Sequence, residues 1–241
     1  MQEPYSVSLS TFSKVPDPTA RRRAEYYGAV MRRVPRWGLV SSVAAPLLLI
    51  GGWTVAAAVQ PVPFDVVIRT ISDLAARDAA HRWLMTIALV GVGVCHLVTS
   101  CALGCAAVVG RLVLAFGGLA TILVAAFPLP GGNGSSSAHT VAAAVAFVSL
   151  ALWPAFAWVR SPEPGRTVGV LLGPTASFAA AGVLLLLLAW FFVEQLSGGP
   201  AVGLSERVAA GAQALWPLAV VLSARRLQSN LGTVRVGAGQ T

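Results

Sequence analysis

The sequence predicts an all-α membrane protein, a bundle of six transmembrane helices with both termini in the cytoplasm. Three observations carry that expectation. Only 11% of the residues are charged and 56% are hydrophobic, whereas a soluble domain carries about a quarter charged residues. Five intervals, 37–64, 83–110, 112–159, 167–193 and 208–224, contain no Asp, Glu, Lys or Arg. A helix rising ~1.5 Å per residue crosses ~30 Å of hydrocarbon in about twenty residues. The third interval is long enough for two crossings and is broken by Pro128-Leu129-Pro130-Gly131-Gly132-Asn133-Gly134. Finally, the basic residues are distributed unevenly. With both termini inside, Lys14 and the arginines of the tails and inner loops account for all of the 17 except Arg69, Arg77, Arg82 and Arg207. That asymmetry is the positive-inside pattern. It assigns the net charge of +8 to topology rather than to nucleic acid, and no nucleic-acid partner is expected.

Taken in order, residues 1–36 form a basic cytoplasmic arm in which Thr19 to Val34 reads as a short helix on the inner leaflet, held by arginines worth roughly 1 kcal/mol each near an anionic surface. The transmembrane domain is placed at 37–226. Span one, about Gly38 to Val59, opens after the interfacial Arg36-Trp37 pair and ends at Gln60-Pro61-Val62-Pro63. Phe64, Val67, Ile68, Ile71, Leu74 and Ala75 then recur at helical spacing, which predicts a short amphipathic helix in the first outer loop. Span two starts near Trp83, carries Cys95, Cys101 and Cys105, and is joined to span three by little more than Gly110-Arg111. Those cysteines match no zinc spacing and read as packing residues, so no metal or cofactor is expected. Gly91, Gly93, Gly104, Gly117 and Gly118 are suited to close helix approach.

Span four runs from about His139 to Val159, span five from Val168 to Val193, and span six from Glu206 to Arg225-Arg226. Residues 227–241 are expected to be a disordered cytoplasmic tail. Ala151-Leu152-Trp153-Pro154 recurs as Ala214-Leu215-Trp216-Pro217, but the flanks do not align as a repeat. Sixteen arginines against one lysine, with abundant Ala, Gly and Val, suggest a bacterial gene and hence the bacterial plasma membrane, where the Asn133-Gly134-Ser135 acceptor triplet is idle.

Within the transmembrane domain every acid but Glu163 falls on the expected outer side. From Asp65 to Arg82 the chain holds three acids, three arginines and a histidine. Three places show serine followed closely by a titratable residue: Ser72-Asp73, Ser137-Ala138-His139 and Ser205-Glu206. Serine caps helices by accepting an unpaired amide hydrogen, and a carboxylate in the first turn is favoured by the helix dipole. Capping alone would account for Asp73 and Glu206, but less well for His139. The alternative is a pocket at the outer rim: Ser72, Asp73, His139, Glu206, Arg207, Gln213 and Trp216 are the candidate ligand-binding residues. Gln213 lies one helical step further along the Glu206-Ala210-Gln213 face. Asp73, Glu194 and Glu206 are the candidate catalytic acids if the protein is an enzyme, because a carboxyl group withdrawn from water can act as a proton donor near neutral pH. His96 sits near mid-membrane, where an ionisable residue is a functional candidate by default, although Thr99 and Ser100 are near enough to satisfy it.

Ile71-Ser72-Asp73-Leu74-Ala75, the Phe127-Pro128 ending of span three with His139 opening span four, and Gly203-Leu204-Ser205-Glu206-Arg207 with Trp216 resemble the bacterial membrane family called domain of unknown function 998. The resemblance covers roughly residues 37–226, with Ala75 or Ala76 where the family typically has Gly. It implies a six-helix integral membrane protein and no particular activity.

Three functions remain open on the sequence. The outer pocket binds a lipid or isoprenoid-like ligand, or a partner membrane protein, a second copy included. Alternatively the chain is a membrane-embedded enzyme on a lipophilic substrate, similar to a terpene cyclase in that a carboxylic acid protonates an olefin or epoxide and aromatics such as Trp190, Phe191, Phe192 and Trp216 face the cation. The third is a small transporter, against which stand the lack of a clear repeat and of mid-membrane charge.

Overall fold

A computed structural model of the chain describes residues 33–131, 134–160 and 170–238, with side chains through residue 227. The basic arm through Arg32, Asn133 and the loop from Ser161 to Arg166 lie outside the described residues. Among those described there are seven α-helices and no strand: α1 (Arg36–Ala58), the single turn α2 (Ile71–Leu74), α3 (Trp83–Ala102), α4 (Val108–Ala126), α5 (Ser137–Ala157), α6 (Pro174–Ser197) and α7 (Val202–Ala238). All except α2 are long and apolar enough to cross a bilayer, α7 as far as Leu227.

The six long helices close into a ring. Each packs on its neighbours in sequence, and α7 returns to pack on α1. The chain therefore has two ends. Loops 59–82 and 198–201, with residues 127–131 and 134–136, share one with α2; residues 33–35, 103–107, 158–160 and 170–173 lie at the other. All five acids among the described residues, Asp65, Asp73, Asp78, Glu194 and Glu206, fall at the first end, hereafter the acidic end. The perimeter is apolar, with Val40, Leu112, Phe116 and Leu186 exposed, as lipid contact requires.

Backbone approach is close where glycine permits it. A Cβ on Gly118 of α4 would lie 2.7 Å from the Gly93 carbonyl oxygen of α3, so those helices cross at a distance that no larger residue tolerates. At the arginine-rich opposite end, Leu103, Leu114, Trp153 and Val221 are fully buried in one core cluster, and Arg111 caps α3 by donating to the Ser100 carbonyl at 2.8 Å.

Several local expectations change. The link between α3 and α4 is 103–107, not Gly110-Arg111, which lie in the first turn of α4. Arg111 is spared a membrane-buried position by serving the end of α3 instead. Cys105 is accordingly in the link rather than on the face of α3 with Cys101. Helical backbone in the loop after α1 is confined to Ile71–Leu74. The Asp65 carboxylate takes the amide hydrogens of Val67 and Ile68 at 2.9 and 3.2 Å, a local bond that competes with a helix, and Thr70 opens α2 as a capping box with Asp73.

None of the three serines singled out in the sequence is a cap. Ser72 is inside α2. It is Ser136, one residue earlier than Ser137, that accepts from the His139 amide to open α5. Ser205 lies inside α7, which begins at Val202, and its hydroxyl donates back to the Val202 carbonyl. Val168, where span five was expected to begin, lies outside the described residues; α6 itself opens at Pro174, proline being suited to a first helical position where no amide hydrogen is needed.

Candidate functional site

A cavity of about 70 Å³ lies inside the ring, lined by α1, α2, α3, α4, α5 and α7. Its walls are aliphatic and aromatic, among them Leu49, Leu89, Val92, Val124, Ala146 and Phe147. Polar groups occur at two levels. Ser72 and Glu206 stand at the acidic end, under α2; His96, Thr121 and Gln213 stand deeper. Glu206, Ala210 and Gln213 follow one another down a single face of α7, so the two levels are about 10 Å apart along the helix at ~1.5 Å per residue.

At the upper level the polar groups are joined. Glu206 is 4% exposed and His139 5%. Glu206 accepts the Ile71 backbone N–H through Oε2 and faces the Ser72 hydroxyl through Oε1 at 3.5 Å. Ser72 Oγ is in turn 3.1 Å from His139 Nε2, and His139 Nδ1 is 2.9 Å from the Phe127 carbonyl oxygen. A carbonyl only accepts, so Nδ1 carries a hydrogen. Two proton arrangements then fit the same heavy-atom positions. A doubly protonated His139 donates through Nε2 to Ser72, whose hydroxyl donates to a Glu206 carboxylate. With a neutral His139, the Ser72 hydroxyl donates to Nε2 and a neutral Glu206 donates to Ser72. The two arrangements differ only in the place of one proton along a histidine–serine–glutamate chain, to which α5, α2 and α7 each supply one partner.

The lower level is different. His96 and Gln213 are each 1% exposed, and neither ring nitrogen of His96 nor Oε1 of Gln213 has a hydrogen-bond partner. The neighbours expected to satisfy His96 are engaged elsewhere. Thr99 Oγ1 pairs with Ser41 Oγ of α1 at 2.9 Å, and Ser100 donates to the Leu97 carbonyl. Thr121 donates to Gly117 within its own helix.

The remaining sequence candidates stand outside this cavity. Asp73 closes the α2 capping box by accepting from the Thr70 amide at 2.9 Å. Glu194 accepts from Trp190 Nε1 and from the Ala201 amide at 3.0 Å, bracing the turn between α6 and α7. Arg207 points away from the cavity and gathers the Val66, Arg69 and Gly203 carbonyls through Nη1 at 2.9, 2.7 and 2.8 Å, with Phe64 under its guanidinium. It thereby ties the loop that carries α2 to the start of α7, where Gly203 leaves room for the Arg69 carbonyl. Trp216 is half-buried in the helix packing.

A six-helix ring in which the loop after α1 folds over the interior and meets the Gly203–Arg207 segment is the arrangement to set beside known families. Residues 42–223 match the family described as protein of unknown function DUF998. The chain belongs to the DUF998 family. No curated protein and no solved structure matches it. The match ends within a few residues of the first and last spans, so the DUF998 region holds the whole cavity. His96 was legible as a mid-membrane ionisable residue, but its sharing a cavity with Gln213 was not, since nothing local fixes which way a fully apolar helix faces. The aliphatic wall residues carried no signal, being indistinguishable in sequence from lipid-facing ones.

Proposed function

We propose that this DUF998 protein binds the slender, lipophilic end of a lipid or isoprenoid-like ligand in the cavity at the ring's centre. The observation that carries the reading is the combination of an aliphatic wall with a few convergent polar groups on two levels. The volume of about 70 Å³ is about half of the ~150 Å³ engineered cavity that takes up benzene, which favours a chain end over a ring system. With the arginine asymmetry read as positive-inside, the polar mouth faces away from the cytoplasm in the bacterial plasma membrane.

The test is a prenyl chain bearing a diazirine near its terminus, photolysed with the full-length protein in phosphatidylcholine nanodiscs. Adducts on Leu89, Ala146 or Phe147, reduced at least five-fold in Ala210→Leu, support the reading. Adducts confined to perimeter residues such as Phe116 and Leu186, and indifferent to Ala210→Leu, overturn it.

One observation favours a second, enzymatic reading. The Glu206–Ser72–His139 chain offers a route for returning a proton to an acid at the cavity wall, which favours Glu206 over Asp73 and Glu194 as the donor in a cyclase-like isomerisation. There the Glu206 proton would add to an olefin carbon, the π pair forming the new C–H bond, and the Glu206 carboxylate would recover a proton from the resulting cation. Under this reading Glu206→Gln abolishes product formation from prenyl substrates while the photolabel persists. Unchanged turnover would exclude it.

A further inference from the structure

The two levels of the cavity differ in what they still lack, and that difference specifies the end of the ligand. Resting on the reading that the cavity takes a lipophilic ligand, we infer that the inserted end carries an uncharged aliphatic hydroxyl, held between His96 of α3 and Gln213 of α7.

The orientation of Gln213 is fixed by its neighbour. Nε2 donates to the Phe147 carbonyl at 3.0 Å. A flipped amide would set two acceptors against each other, so Oε1 is the atom left without a donor. His96 leaves both ring nitrogens open, and a neutral imidazole offers one N–H and one lone pair. The floor therefore presents one donor and two acceptors, deep among aliphatic side chains where unpaired polar groups are costly. A hydroxyl pairs two of these three atoms, giving its one hydrogen to Gln213 Oε1 or the imidazole lone pair and accepting the imidazole N–H on a lone pair.

Other ends of the same thickness answer it less well. A carbonyl accepts from His96 but supplies nothing to Gln213. A bare hydrocarbon leaves all three atoms unpaired. A phosphate or carboxylate supplies acceptors only and brings a negative charge to a cavity whose lining contains no Lys or Arg and whose one acid is Glu206. Burial of an unpaired anion there is strongly opposed. The expected order is thus alcohol, then ketone, then hydrocarbon, with the anionic lipid last.

The experiment is competition against the same diazirine probe by farnesol, farnesene and farnesyl phosphate, compared at equal mole fraction in the nanodisc so that partitioning into the bilayer does not set the order. Farnesol should displace the probe at one-tenth or less of the mole fraction the other two require. In Gln213→Leu and in His96→Leu the preference for farnesol over farnesene should fall at least five-fold, with farnesene competing as well as or better than before. That retained farnesene binding separates loss of recognition from loss of fold. Equal competition by farnesol and farnesene in the wild-type protein, as when water alone serves the floor, overturns the inference and leaves the binding reading standing. So does stronger competition by farnesyl phosphate. Failure of the diazirine probe itself to label the cavity overturns both.

Discussion

The mouth and the floor of the cavity lie about two helical turns apart on α7, yet their polar groups serve opposite ends. At the mouth, Glu206, Ser72 and His139 are joined to one another and to the backbone of Ile71 and Phe127. At the floor, the His96 ring and Gln213 Oε1 face aliphatic walls with nothing to bond. A satisfied buried polar group contributes modestly to stability, and breaking its bond costs about 1–3 kcal/mol because the abandoned partner stays desolvated. An unsatisfied one is a cost already present in the fold. The mouth thus holds the bundle together, whereas the floor carries polar groups without partners at the fold's own expense.

That contrast can be broken at graded points, each read by chemical denaturation in detergent micelles. The largest effect is expected beside the mouth. Arg207→Met removes three charge-assisted bonds to carbonyls and should destabilise by about 3 kcal/mol or more. A loss below about 1 kcal/mol would mean that the loop carrying α2 does not depend on this arginine. Glu206→Leu strands the Ile71 amide and should cost about 2 kcal/mol, whereas Glu206→Gln, which keeps an oxygen for that amide, should cost less than about 1 kcal/mol. Equal losses from the two would place the role of Glu206 in its charge rather than in its bond to α2. His139→Phe should cost about 1 kcal/mol, since the Phe127 carbonyl loses its donor but Ser72 can still turn to Glu206.

The floor sits at the other extreme. His96→Leu should leave stability unchanged or raise it by up to about 1 kcal/mol, as an unpaired group is replaced by a hydrocarbon one. A loss of about 2 kcal/mol there would erase the distinction between the two levels.

Much of this molecule was legible without its fold. The five charge-free intervals with the Pro128–Gly134 break located all six long helices but not every end: α3 stops at Ala102, α6 begins at Pro174 and α7 continues to Ala238. Ser72, His139 and Glu206 were grouped correctly as neighbours because each falls at the same end of a crossing, and Gln213 followed from its register with Glu206. The same reasoning also gathered Asp73, Glu194, Arg207 and Trp216 into that group, where the folded chain sets them to capping a turn, bracing a loop, binding carbonyls and packing helices. Depth in the membrane can be counted from sequence; rotation about the helix axis cannot be counted when every face is apolar.

By itself, the sequence determined the family and the number of long apolar helices, the latter because it depends on lengths of uncharged chain measured against hydrocarbon thickness. Only the tertiary structure decided that α7 closes the ring on α1, that a cavity remains at its centre, and that the His96 ring and Gln213 Oε1 meet there without hydrogen-bond partners. Successive residues turn by ~100° around a helix, so which of them meet is set by how six neighbours pack against one another, and that is a property of the whole bundle.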